Sequence, residues 1–236
     1  MNRKGMERFG LALCCLLSLS LAGNSQRNIT NQSVSDTTPT LPAHYADKAA
    51  QYEKEPVITG RIIFLGNSIT EMGRWAYLLG DSTVVNRGIG GDVTFGVLKR
   101  INDIIVRQPS KLFLLIGIND ISKDVPDVVI ADNIRKIIEQ VQHQSASTKI
   151  YLESILPVNP DIPHFPQHYD KNPHVISTNK LLQQVAANAG VVFVDTYSLF
   201  NDGTGKLKKE FTWEGLHVNP AGFEYWIKYL KQKKYL

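Results

Sequence analysis

Cysteine is nearly missing from this chain: Cys14 and Cys15, side by side near the N-terminus, are the only two in 236 residues. The body of the protein therefore holds together without disulfides. Long apolar runs are missing as well. The longest, Leu11 to Ala22, is too short to span a bilayer, and no extended apolar surface stretch suggests a lipid-binding lid. Charge of one sign is scarce: the formal net charge is +4, of which Arg3, Lys4 and Arg8 against Glu7 supply +2, leaving about +2 for the rest. That balance argues against nucleic acid or an acidic membrane surface as a partner. The C-terminal lysines Lys228, Lys231, Lys233 and Lys234 read as the solvated end of a last helix, where cations suit the helix dipole. There is no internal repeat, and no G-x-S-x-G elbow, which disfavours an ordinary α/β-hydrolase.

What is present is a globular composition, 43% apolar and 20% charged, of a length that fits one domain with an N-terminal extension. Basic residues, then the apolar run, then small residues (Ser20, Ala22) predict a signal peptide over 1–22. Both cysteines fall inside it. Lipid attachment at either is disfavoured, because Leu13 and Cys14 are not the small residues such a site wants before it. The expectation is export to the periplasm or medium. Residues 23–45, rich in Ser, Thr, Asn and Gln, predict a flexible tether, and 46–236 the folded domain. Asn28 and Asn31 lie in N-x-[ST] sequons.

From there, short β-branched and aromatic runs alternate with helical patterns. Ile62–Leu65, Val84–Val85, Leu112–Ile116, Ile150–Leu152 and Val191–Val194 each end at polar or turn-forming residues, as buried parallel strands do. Helical spacing runs from Pro126 to Val141, from Thr178 to Ala189 before Gly190, and from Pro220 to about Leu230. Such alternation predicts an α/β fold, a doubly wound three-layer sandwich on a parallel sheet. One stretch is irregular: Pro157 to Pro173 holds several prolines with histidines in and beside it, and long loops of this kind are usually functional or disordered.

In open α/β sheets ligands bind beyond the carboxyl ends of the strands, so those ends test for function. The first strand runs into Gly66-Asn67-Ser68-Ile69-Thr70 and the second into Asn86-Arg87-Gly88-Ile89-Gly90-Gly91-Asp92. The third runs into Gly117-Ile118-Asn119-Asp120, and Glu214-Gly215-Leu216-His217-Val218-Asn219-Pro220 follows the fifth. Singly, each has a plain explanation: Ser68 as a helix cap, the glycines as a turn, Asn119 or Asp120 as another cap, His217 as a surface histidine. A hydroxyl, glycines, an amide, a carboxylate and an imidazole arriving at one sheet edge are not explained that way.

These blocks, in this order, resemble the SGNH (GDSL-type) hydrolases from about Arg61 to the C-terminus. The resemblance implies a flavodoxin-like five-stranded parallel sheet and serine esterase chemistry without a cofactor or metal. It makes Ser68 the nucleophile, His217 its base and Glu214 the group orienting the imidazole. It places the Ser68 and Gly91 N–H groups and the Asn119 amide around the oxyanion, each such donor being worth about 3–4 kcal/mol in comparable sites. Two residues depart from the family's pattern: Asn67 stands where Asp is usual, and Glu214 replaces the Asp of D-x-x-H, with Asp195 as a fallback carboxylate. The NRGIGGDVT stretch looks like the branch of platelet-activating-factor acetylhydrolase-type subunits and bacterial sugar O-acetylesterases, which implies short acyl groups, with carbohydrate as the expected acceptor. Arg87, His164 and His168 are candidate substrate-binding residues, beside Phe165, Tyr169 and His174. The loop histidines lack a matching carboxylate cluster, so no metal site is expected. Longer-chain lysophospholipase or thioesterase activity, and glycan binding without catalysis, are the competing readings.

Overall fold

The computed structural model describes residues 38–162 and 164–236. The expected signal peptide and the tether up to residue 37 lie outside them. Along the chain run α1 (Tyr45–Lys54), β1 (Ile62–Gly66), α2 (Ser68–Met72), α3 (Trp75–Leu79), β2 (Val85–Gly88), α4 (Thr94–Lys99), α5 (Ile101–Ile105) and β3 (Lys111–Leu115). Then come α6 (Ile118–Ser122), α7 (Asp127–Gln144), β4 (Lys149–Glu153), α8 (Asn172–Ala189), β5 (Val192–Val194), α9 (Thr196–Phe200) and α10 (Pro220–Gln232). The five strands form one parallel sheet in the order β2-β1-β3-β4-β5. The chain leaves β1 for β2 on one side and returns to β3 on the other. Crossovers therefore diverge between β1 and β3, which opens a crevice at their carboxyl ends.

Strand periodicity divides the core. Phe64, Phe113 and Tyr151 are in register across β1, β3 and β4, and their rings stack at 4.7 and 4.5 Å. Trp75 of α3 lies flat on Phe64 at 4.0 Å and meets Trp226 of α10 edge-on at 5.5 Å, so these helices cover the aromatic face. Ile63, Leu65, Leu112, Leu114, Ile150 and Leu152 alternate with those rings and are fully or nearly fully buried. The apolar stripe of α7 (Ile130, Ile134, Ile137, Ile138, Val141) is buried too, and α7 packs beside α4, α5 and α8.

Three elements differ from expectation. The second strand is Val85–Gly88 and carries Asn86 and Arg87, which an edge strand tolerates when their polar groups are matched. Helix α8 begins at Asn172, since Pro173 starts a helix as readily as it ends a loop. Packing also begins before residue 46: Leu41 lies against a small cluster of Tyr45, Tyr52 and Ile89, and the Tyr45 hydroxyl donates to the Gly96 carbonyl at 2.7 Å.

Candidate active site

Ser68 is the first residue of α2, directly after β1. Asn67 caps that helix, its side chain accepting from the Ile69 N–H at 3.0 Å. Asn at the family's usual Asp position thus does the local work of a cap. The Ser68 N–H belongs to the helix's first turn, where no intrahelical acceptor exists. Across the crevice, His217 Nε2 lies 2.9 Å from Ser68 Oγ, and its Nδ1 lies 2.6 Å from Glu214 Oε1. The same carboxylate oxygen accepts the His217 backbone N–H at 2.6 Å. A carboxylate at Nδ1 fixes the proton there and leaves the Nε2 lone pair facing the serine hydroxyl. Gly215, between these two residues, has φ +86°. A side chain there would run into the Asn159 carbonyl, and Asn159 N–H donates to the Gly215 carbonyl at 2.7 Å. This close pairing pins the Glu214–His217 turn to the Pro-rich loop. Asp195 sits elsewhere, exposed, capping α9 through the Ser198 N–H at 3.0 Å.

The glycine block comes from β2. Gly91 adopts φ +73°, a conformation that disfavours a side chain, and Pro42 packs against it. The neighbouring Gly90 N–H donates to Glu71 Oε2 at 2.7 Å, and Lys48 pairs with the other oxygen of Glu71 at 3.1 Å. From β3 comes Asn119, 7% exposed, its Nδ2 donating to the Asp92 carbonyl at 2.9 Å. Asp92 is itself buried against Arg100, whose guanidinium also donates to the Gly66 carbonyl at 3.0 Å, tying the glycine block to the end of β1. Burial pushes the Asp92 carboxyl up, opposed by Arg100. Asp120 accepts the Thr94 hydroxyl at 2.5 Å and the Thr94 N–H at 3.0 Å, and burial raises its pKa to about 7 despite those bonds. Motif reading did not assign the Asp92–Arg100 and Asp120–Thr94 pairs, although both carboxylates stand inside the quoted blocks.

The Pro-rich loop crosses the site. Phe165 meets the His217 ring edge-on at 5.3 Å. His168 is 5% exposed and approaches Asn119 Oδ1 with Nε2 at 3.2 Å. His164 is exposed, beside Phe165, with its N–H directed at the Tyr169 hydroxyl. His174 is an exposed partner of Asp127 at 3.2 Å. Arg87, expected at the substrate, is not free to bind one. Its side chain is 2% exposed, donates to Asp103 at 2.8 Å and Glu55 at 2.7 Å, and stacks on Tyr52. A buried guanidinium needs such partners, and carboxylates distant in sequence supply them.

A chain of hydroxyl, imidazole and carboxylate beside amide donors is a form suited to acyl transfer. The sequence profile of the GDSL-like lipase/acylhydrolase family matches residues 64–225, which takes in all of these blocks. The chain belongs to that family. It is similar, at 24% identity over 197 residues (69% of this chain and 88% of the relative), to an acetylxylan esterase of Geobacillus stearothermophilus. Among solved structures, a Streptococcus pneumonia chain described as a platelet activating factor shares 34% identity and a TM-score of 0.72, covering 80% of this chain and 92% of that one. The acetylxylan esterase Axe2 of Geobacillus stearothermophilus superposes with a TM-score of 0.61 at 20% identity, over 75% of this chain and 96% of that one, a likeness of fold. The protein is a carboxylic ester hydrolase of small-molecule esters. Among the described residues no helix is long and apolar enough to cross a membrane.

Proposed function

We propose that this protein is a serine esterase that removes acetyl or other short acyl groups from carbohydrate, with Ser68, His217 and Glu214 as its triad. The observation that carries this reading is the unbroken chain Ser68 Oγ–His217–Glu214, with spacings of 2.9 and 2.6 Å. His217 takes the Ser68 proton as Oγ bonds to the acyl carbon. The oxyanion is held by the Ser68 and Gly91 N–H groups and by Asn119. Collapse expels the sugar alcohol, which leaves with the proton from His217. Water then attacks the acyl-serine by the same route and releases the acid. Throughout, Glu214 stabilises the imidazolium.

The acyl group and acceptor are supported by the acetylxylan esterase relative. A second support is a groove of about 210 Å³ lined by Met72, Arg74, Tyr77, Trp213, Pro220 and Phe223. Met72 lies one turn along α2 from Ser68, and Trp213 directly precedes Glu214. Trp213 is 57% exposed and Tyr77 71%, so aromatic side chains of the kind that carry sugar rings stand open on this groove. The basic and apolar leader supports export, where polymeric glycans are met. Acetate release from acetylated xylooligosaccharides, with a p-nitrophenyl ester series from acetate upward, tests the reading. Wild type should release acetate and prefer the shortest ester, and Ser68→Ala should do neither. A rate peak at butyrate or longer would move the substrate to lipids or thioesters, and sugar binding with no turnover would leave a binding protein.

A further inference from the structure

The reaction as laid out leaves the buried imidazole of His168 without a task. This residue closes the 3-10 turn Pro166–His168 and points Nε2 at Asn119 Oδ1, 3.2 Å away. An amide oxygen only accepts, so Nε2 carries the hydrogen and Nδ1 is a bare lone pair. That Nδ1 is buried and has no hydrogen-bond partner among the described residues. A buried lone pair without a donor is unfavourable, and an apolar ring of the same size would fill the space without it. Fold stability alone is therefore a poor reason for histidine here. Burial holds its pKa down to about 4, with His217 and Lys123 acting in the same direction, so the ring is neutral and its tautomer is set by Asn119.

Asn119 shows what the contact achieves. One Nδ2 hydrogen goes to the Asp92 carbonyl at 2.9 Å. A single bond leaves the amide plane free to swing about it. A second bond at the oxygen end fixes the plane, and the other Nδ2 hydrogen then has one direction. Donation into the amide oxygen also polarises the group and strengthens its N–H as a donor.

We propose that His168 is a positioning residue for ester hydrolysis: its Nε2–H locks the Asn119 amide so that the remaining Nδ2–H meets the oxyanion. The proposal rests on Asn119 being an oxyanion donor. It is tested with His168→Phe, His168→Gln, Asn119→Ala and the double variant His168→Phe/Asn119→Ala, by p-nitrophenyl acetate kinetics with thermal unfolding of each. His168→Phe should lower kcat about ten- to hundredfold with KM nearly unchanged, the signature of a misplaced transition-state donor. His168→Gln, whose terminal N–H can reach the same oxygen, should recover to within about threefold of wild type. In the Asn119→Ala background His168→Phe should cost less than about twofold, because the group it positions is gone. If His168→Phe does not fold, His168→Met removes the same donor. Asn119→Ala with wild-type turnover would overturn the oxyanion reading and this proposal together. An impaired Asn119→Ala beside an unimpaired His168→Phe, an equal His168→Phe penalty in both backgrounds, or a folded His168→Gln as slow as His168→Phe, would overturn the role of His168 alone.

Discussion

Glu214 stands where the family's pattern has aspartate, and the structure shows how the longer side chain fits. One oxygen, Oε1, takes both the Nδ1–H and the backbone N–H of His217, each at 2.6 Å. The extra methylene is absorbed by folding the carboxylate back over its own turn. If this carboxylate orients and charges the imidazole, Glu214→Gln should lower kcat by about two to four orders of magnitude on p-nitrophenyl acetate, comparable to loss of the triad acid elsewhere, while the circular dichroism spectrum stays the same. Turnover near that of wild type would mean another acceptor holds Nδ1. That Ser68, Asn119 and His217 gather at one edge of the sheet was legible in the sequence because each follows a strand end or a glycine turn, whereas Glu214 entered only through the resemblance, and the structure puts it against His217. Arg87 was misread for the same reason: it precedes a glycine turn at a strand end, and nothing local shows that Asp103 and Glu55 face it. His168 stood among the substrate-binding candidates, but its contact with Asn119 joins positions 49 residues apart and has no sequence signature.

Strands and helices were read best where burial is one-sided or complete. The β1, β3 and β4 runs and the stripe of α7 came through because apolar periodicity reports burial directly. The length of the edge strand β2 beyond Val85 and the first turns of α8 did not, since polar residues matched by distant partners look like loop. The join between β4 and α10 carries a consequence of burial as well. Glu153, at the end of β4, is buried with Trp226 Nε1–H donating to it at 3.0 Å, and its pKa is pushed up from 4.5 to about 8 by desolvation. Above pH 4.5 the unfolded chain gives up this proton while the folded chain keeps it until about pH 8. Its contribution to stability is therefore whole below the lower value and is lost as pH rises toward the upper one. Glu153→Gln keeps the acceptor for Trp226 without the titration. Its melting temperature should rise relative to wild type as pH goes from about 5 to about 8. A difference in melting temperature that does not change with pH would show that Glu153 ionises normally in the fold.

Across the whole molecule, the reversal of strand order between β1 and β3 decides where the chemistry lies, because it sends Ser68 and Asn119 to the same crevice from adjacent strands. Loops then bring the rest: the glycine block from β2, the Pro-rich crossing after β4, and the turn before α10. The segment Leu41–Tyr45 joins them from the N-terminal side, with Pro42 against Gly91 and Tyr45 bonded to Gly96. A chain starting at Thr38 keeps these contacts and one starting at Ala46 lacks them. The second should show at least about a tenfold lower kcat/KM on p-nitrophenyl acetate, through a loosened glycine block. Equal activity of the two would show that the glycine block holds its own shape.

The central claim is that Ser68 is a nucleophile activated by His217. Labelling with a fluorophosphonate, followed by peptide mass spectrometry, reads it directly. The structure predicts one adduct, on Ser68, formed rapidly by wild type, slowed by orders of magnitude in His217→Ala and absent in Ser68→Ala. An adduct on another residue, or labelling of Ser68 at the same rate with and without His217, would contradict it.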